Sequence, residues 1–239
     1  MSPMIYSVVV VLSMLPPAVD NHRGAGQGTG RIIGVVTYDG TPPERHRVKV
    51  TTQDKPCHAE PIPNESVVVS RDGKIRWAVV SIKRINGGKS FGEPDPEKPV
   101  VLDQRGCRFR PHVVVVPRGQ PLRILNNDGV LHNVHLYPKR NKSFNRIMLG
   151  SQKTLDMTFD LEERIPVRCD VHQWMAGWIV VAEHPYYAVT DKNGVFKLDK
   201  VPQGTYTVQL WHEKLGRQNK DITVTAGEET RLDFAMRGN

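Results

Sequence analysis

The chain is short of cysteine, of long apolar runs and of helical periodicity, and each shortage excludes something. Three cysteines in 239 residues are too few for a disulfide scaffold or for the four thiolates of an iron–sulfur cluster. No apolar run reaches the ~18 residues that cross a bilayer as a helix, which excludes a polytopic helical membrane protein. No segment longer than about ten residues keeps a convincing helical period, so helices are not the building material.

What is present points to strands. Gly 20 and Pro 18 are raised together, which favours short strands and turns. Hydrophobic residues at 38% and charged residues at 24% are ordinary for a globular protein with a real core. Lys and Arg exceed Asp and Glu by 33 to 25, a net charge of +8. A basic chain prefers acidic partners, although charge does not say which kind. No nucleic-acid partner is expected.

The N-terminus carries a short apolar stretch, Ile5 to Leu15, broken by Pro16-Pro17 and followed by Ala18. This matches the apolar segment and cleavage region of an export signal, so residues 1–18 are read as a signal peptide and the protein as periplasmic or extracellular. The n-region before it has no Lys or Arg. Residues 19–29 are Gly-rich and polar, as in a flexible linker.

Strands are predicted at Arg31–Tyr38, Arg47–Val50, Ser66–Ser70, Trp77–Lys83, His112–Val116, Leu122–Leu125 and Val134–Tyr137. More follow at Leu155–Phe159, Trp178–Val181, Val195–Leu198, Thr205–Trp211, Ile222–Thr225 and Arg231–Ala235. Turn signals such as Asp39-Gly40, Asp128-Gly129 and Asn193-Gly194 separate them. Regularly spaced short strands predict an all-β chain of sandwiches or barrels. Residues 85–99, rich in Gly, Pro and charge, read as a boundary loop.

The motif that carries chemistry is Cys169-Asp170-Val171-His172-Gln173-Trp174-Met175. A thiol, an imidazole and a thioether within seven residues form a soft donor set that favours copper. A mononuclear type 1 copper centre takes two His, one Cys and a weak axial Met. The second His must come from elsewhere, and His132, between the turn at Asp128-Gly129 and a strand, is suited to it. His135 falls on the opposite face of that strand and takes a surface role. His112, His184 and His212 lie outside any ligand spacing and are read as structural. A structural zinc site would want a Cys-x2-Cys or His-x3-His pair, absent near Cys169. A nucleophilic Cys169–His172 pair would lack a third group to orient it, and no enzyme activity is expected.

The span Val100–Glu183 resembles the cupredoxins, nearest to amicyanin and the plastocyanins. Three pieces carry the resemblance in order: HVVVVPRGQPLRILN at 112–126, His132-Asn133-Val134-His135, and Cys-x2-His-x2-Met at 169–175 followed by Gly177. It implies a Greek-key β-sandwich over 99–183 holding one copper ion on His132, Cys169, His172 and Met175. It also implies that Asn133 ties the two ligand loops together. His172 in an exposed loop would be the electron exit, with Trp174 beside it on the docking surface. Trp174 and Trp178 make the surroundings bulkier than the family pattern.

If Cys169 ligates copper, Cys57 and Cys107 are left over. An even pair in an exported protein favours a disulfide; two free buried thiols are the alternative.

Tyr187 to Met236 contains TDKNGVFKL and VPQGTYTV, which resemble the carboxypeptidase regulatory-like, or transthyretin-like, β-sandwich family. The opening strand of that family matches IIGVVTYDGTPP at 32–43, far upstream. One smaller sandwich made of residues 30–98 plus 184–239, with the cupredoxin inserted, is the simplest arrangement; domains in series are the alternative.

These readings converge on an exported blue copper protein that transfers single electrons between redox partners. A copper-carrying or storage protein, or an adhesion or carbohydrate-binding module with a non-redox metal site, would share many of these features. The cations Lys139, Arg140, Lys142 and Arg146 would flank the copper site and steer an acidic, cytochrome-like redox protein toward it.

Overall fold

A computed structural model of the chain describes residues 28–48, 50, 57, 61–85 and 88–238. The proposed signal peptide and most of the linker lie outside the described residues. None of the described residues forms a helix long and apolar enough to cross a membrane.

The fold is all-β. In chain order the first strands are β1 (Thr29–Tyr38), β2 (Val68–Val69), β3 (Ile75–Arg76), β4 (Val79–Ile82), β5 (Val100–Gln104) and β6 (Phe109–Arg110). Then come β7 (Val113–Pro117), β8 (Leu122–Asn126), β9 (His132–Leu136), β10 (Phe144–Met148), β11 (Thr154–Met157), β12 (Glu163–Arg168) and β13 (Ala176–Ala182). The last are β14 (Tyr187–Val189), β15 (Val195–Pro202), β16 (Gly204–His212), β17 (Gly216–Val224), β18 (Glu229–Arg231) and β19 (Phe234–Met236).

Two sandwiches result. One packs the sheet β10-β9-β12-β13-β7 against the sheet β11-β8-β5-β6. Its core includes Leu102, Phe109, Val116, Ile124, Val134, Ile165 and Ile179. The other packs β14-β4-β16-β17 against a sheet in which β1 pairs with β15, β18 and β19. Strands from both ends of the chain therefore share its sheets, and Ile32, Val80, Phe196, Leu210 and Phe234 meet in its core. Gly34 at the middle of β1 is required there: a Cβ would lie 1.8 Å from the Leu232 carbonyl oxygen.

The sandwiches join through a third apolar layer. Successive side chains of a strand point to opposite faces, and the strands that meet at the junction use both. On β7, Val114 and Val116 enter the first core while Val113 and Val115 face the junction. On β13, Ile179 and Val181 turn inward while Trp178 and Val180 turn out. Val79 and Trp211 answer from β4 and β16, with the Trp178 and Trp211 rings edge-on at 4.9 Å. This double burial explains why 113–116 and 178–182 read as unbroken apolar runs rather than as alternating ones. Polar contacts bracket the layer: Arg164 donates to Gln209 at 2.6 Å, and His112 contacts Glu213.

Several boundaries differ from the sequence reading. β1 begins at Thr29, inside the predicted linker. Arg47 makes only an isolated bridge to Pro63. β5, β10 and β12 are strands that the sequence pattern did not mark. β12 contains Pro166, which cannot donate to a ladder; its pairing with β9 involves Val167 and Arg168, just past the proline.

Candidate metal centre

The antiparallel pair β12–β13 closes into a hairpin whose connection is the motif Cys169–Met175. Cys169 and Met175 are its closing pair, with the Cys169 N–H on the Met175 carbonyl at 3.0 Å and the Met175 N–H on the His172 carbonyl at 2.7 Å. Within this turn His172 points back toward β9, whose first residue is His132.

Three donor atoms converge. His132 Nδ1 and His172 Nδ1 are 2.9 Å apart. Cys169 Sγ is 3.9 Å from the first and 3.8 Å from the second. One ion could reach all three at roughly 2.0–2.3 Å, ordinary metal–nitrogen and metal–sulfur lengths. Met175 is wholly buried in the same apolar cluster as Cys169. The residues therefore fit a metal with a trigonal N, N, S set, and Met175 of the same buried cluster carries a thioether, one of the soft donors that suit copper.

The sulfur is held as a thiolate would need. It accepts the backbone N–H groups of Asn133 and His172, both at 3.4 Å. Burial pushes the Cys169 thiol up, but the two imidazoles and these N–H groups outweigh it and bring it below the usual range. Burial pushes His132 down, and the Asp128 carboxylate and Cys169 sulfur outweigh that and raise it.

Asp128 was not singled out by sequence reasoning. Its carboxylate accepts from Gly106 N–H at 2.5 Å and Cys107 N–H at 2.9 Å, and faces His132 Nε2 at 2.9 Å. A carboxylate on Nε2 fixes the proton there and leaves Nδ1 free to ligate. The only sequence signal is a carboxylate four residues before the histidine, across a turn.

Asn133 lies where the two loops meet. Its Oδ1 accepts the Asp170 N–H, and its Nδ2 donates to Asp170 Oδ2 at 2.9 Å and Asn145 Oδ1 at 2.6 Å. His135 is partly exposed and contacts Asp170 and Tyr137 instead. His112 is buried, with Nδ1 at 3.1 Å from the Ala176 carbonyl.

One expectation about the surroundings is corrected. His172 is not at an exposed edge: it is wholly buried. The disulfide expected between Cys57 and Cys107 is present, and Cys57 Sγ lies 3.7 Å from His172 Nε2. The long-range bridge brings Cys57 against the ligand loop, a contact that local sequence could not reveal. Trp174, half-buried, donates from Nε1 to the Cys107 carbonyl at 3.2 Å, and its ring centre lies 5.2 Å from that of His172. The basic loop after β9 is fixed by a carboxylate of the neighbouring strand. The backbone N–H groups of Lys139, Arg140 and Asn141 bind the Glu163 carboxylate. Glu163 starts β12, six residues or about 20 Å of strand from Cys169, so Lys139 and Arg140 sit at the far end of the sandwich.

Residues 173–237 match the family model of the carboxypeptidase regulatory-like domain. No curated protein matches the chain. Among solved structures, a copper-containing nitrite reductase from Thermus scotoductus is similar at 23% identity and TM-score 0.35, covering 41% of this chain. This chain spans only 25% of that protein's length. A purple cupredoxin from Nitrosopumilus maritimus, at 20% identity and TM-score 0.31, is covered over 99% of its length by 35% of this chain. A copper(I) form of an amicyanin variant is similar at 18% identity and TM-score 0.33, over 43% of this chain and 98% of its own. The family model thus covers about the C-terminal quarter of the chain, and each of these structural likenesses covers less than half of it.

Proposed function

We propose that the protein is an exported mononuclear copper protein that passes single electrons between redox partners and does not turn over a substrate. The observation that carries this is the convergence of His132 Nδ1, His172 Nδ1 and Cys169 Sγ in a buried pocket beside Met175. Bound copper would supply a one-electron couple between its two oxidation states. The chain's own part is to hold the donors still. Asp128 fixes the His132 tautomer, Asn133 joins the two loops, and two backbone N–H groups bind the sulfur. Donors fixed by strands move little when the metal changes charge, which keeps reorganisation small. Burial of all four residues argues against an open position for substrate. A protein partner would find an apolar patch close by: Leu131 and Val171 are exposed next to ligands, and Ile147 and Leu149 are exposed on and just past β10.

Absorption of the copper-reconstituted protein tests the reading. An intense thiolate band in the visible is expected, and Cys169→Ser should abolish it while the far-UV circular dichroism stays unchanged. A colourless protein with bound Cu(I) or zinc, or a band that survives the serine, would overturn it.

A further inference from the structure

A cleft of about 390 Å³ opens between the two sandwiches beside the ligand loop. Trp174 and Ala176 of the metal sandwich form one wall, and the β16–β17 turn forms another. Four cations line it: Arg47, Arg108, Arg168 and Lys214. They come from four separate stretches of chain, so their meeting is a product of the fold rather than of a basic run.

Among the described residues two carboxylates face them, and both have partners. Glu65 lies 3.8 Å from Arg108, and Glu213 is bound to His112. Arg108 is about four-fifths buried, and its Nε has no hydrogen-bond partner. A buried charged donor left unpaired is costly unless something accepts from it. Arg45 adds to the crowding of charge: burial, and then the neighbouring Arg108 and Arg76, hold its guanidinium below the usual range despite Glu65. The volume lies within the range of small-molecule sites, and guanidinium forks match planar and tetrahedral oxyanions.

We propose that this cleft binds a small multivalent oxyanion, on the order of a dozen non-hydrogen atoms, against the face of Trp174. Polycarboxylates and phosphate compounds share that chemistry. Because the Trp174 ring also neighbours His172, a bound anion would sit one aromatic ring away from a metal ligand. The link to electron transfer rests on the copper reading; the binding itself does not.

The test uses the full-length, metal-free protein. Citrate and pyrophosphate are titrated separately at low salt, with tryptophan fluorescence and calorimetry as readouts. Saturable binding by one of them, weakened by added salt, is expected, and whichever binds identifies the source of the anion. Arg47→Gln with Lys214→Gln, both exposed positions, should weaken it roughly tenfold. Lys139→Gln with Arg140→Gln, at the far end of the sandwich, should leave it unchanged. Cys169→Ser should also leave it unchanged, which separates this site from the metal site. Absence of saturable binding by either probe, or equal weakening by both pairs of substitutions, overturns the proposal. In copper-loaded protein, hexacyanoferrate(II) gives up one electron and Cu(II) accepts it. Saturating anion should slow that exchange several-fold, and an unaltered rate would refute the link to the metal.

Discussion

The two sandwiches are built of the same material and differ in what they bury besides it. Both cores are made of Val, Ile, Leu and Phe on alternating strands. The metal sandwich also buries Gln104, Asn126, His132, Asn133 and His172, with His112 buried beside the junction, whereas the other buries Thr190 and His212. Buried polar groups must be hydrogen-bonded or they cost stability. In the second sandwich each serves only backbone: Thr190 Oγ1 accepts from Ala78 N–H at 2.9 Å. His212 Nδ1 accepts from Lys214 N–H and Leu215 N–H at 3.2 and 3.3 Å. In the metal sandwich Gln104 and Asn126 likewise bond to backbone carbonyls, at Leu125 and at Val130 and Leu149, but His132 and His172 leave two Nδ1 atoms and the Cys169 sulfur facing a common point. A polar cluster whose donors converge, rather than polar burial as such, separates the functional region from the scaffold.

The largest expected effect erases the difference between the two regions. The Cys57–Cys107 bridge closes a loop of separation 50, which contains β2, β3 and β4 and ends just past β5. Its removal by Cys57→Ala with Cys107→Ala should cost about 4 kcal/mol through the freed unfolded chain. The loop includes β4 of one sandwich and β5 of the other, so both should weaken together. Native-state hydrogen exchange would show slowed amides of β9 and β16 losing protection in parallel; loss confined to β9 would show that the sandwiches unfold separately.

A pH titration sharpens the contrast. Burial pushes His212 down to about 4; Glu213 opposes this and His112 adds to it. The two N–H groups aimed at Nδ1 need its lone pair, so the folded state keeps the ring neutral. The unfolded chain takes up a proton near pH 6.5 and the folded protein does not until about pH 4. Stability is therefore full above pH 6.5 and falls as pH drops from there to about 4, by as much as about 3 kcal/mol. Urea midpoints for the native protein and His212→Asn, compared across that window, check this. The variant should show a flatter profile, and parallel profiles would assign the acid sensitivity to other groups.

The legibility of the sequence followed the range of the contacts. The ligand loop was readable because Cys169, His172 and Met175 lie within seven residues and close one hairpin. His132 was readable from its place between a turn and a strand, and Asn133 only through its resemblance to a known pattern. Asp128 was missed because a carboxylate before a turn is common, and only the folded turn aims it at His132 Nε2. The cover over His172 was missed because Cys57 and His172 are 115 residues apart. The strand β12 was hidden by Pro166 and by charged residues at its start. Conversely, Val113–Val116 was seen as a strand, but its lack of alternation, the trace of burial on both faces, pointed to the layer between the sandwiches.

The smallest expected effect separates the regions by kind rather than by size. Thr190→Val leaves the buried Ala78 N–H without its side-chain acceptor, at a cost of roughly 1–2 kcal/mol. Asn133→Ala removes the acceptor for the Asp170 N–H and two donated bonds. Asp170 and Asn145 are exposed, so water can replace those partners, and the loss of stability should be roughly 1 kcal/mol. By stability alone the two variants would look alike. Their reach differs, because Asn133 joins the strand that starts with His132 to the loop that holds Cys169 and His172, whereas Thr190 joins nothing that moves toward the donors. Asn133→Ala should therefore speed copper loss to a chelator about tenfold or more, with the visible band shifted, while Thr190→Val leaves both unchanged. Equal rates of copper loss in the two variants would mean that the strands alone, without the asparagine, hold the donors in register.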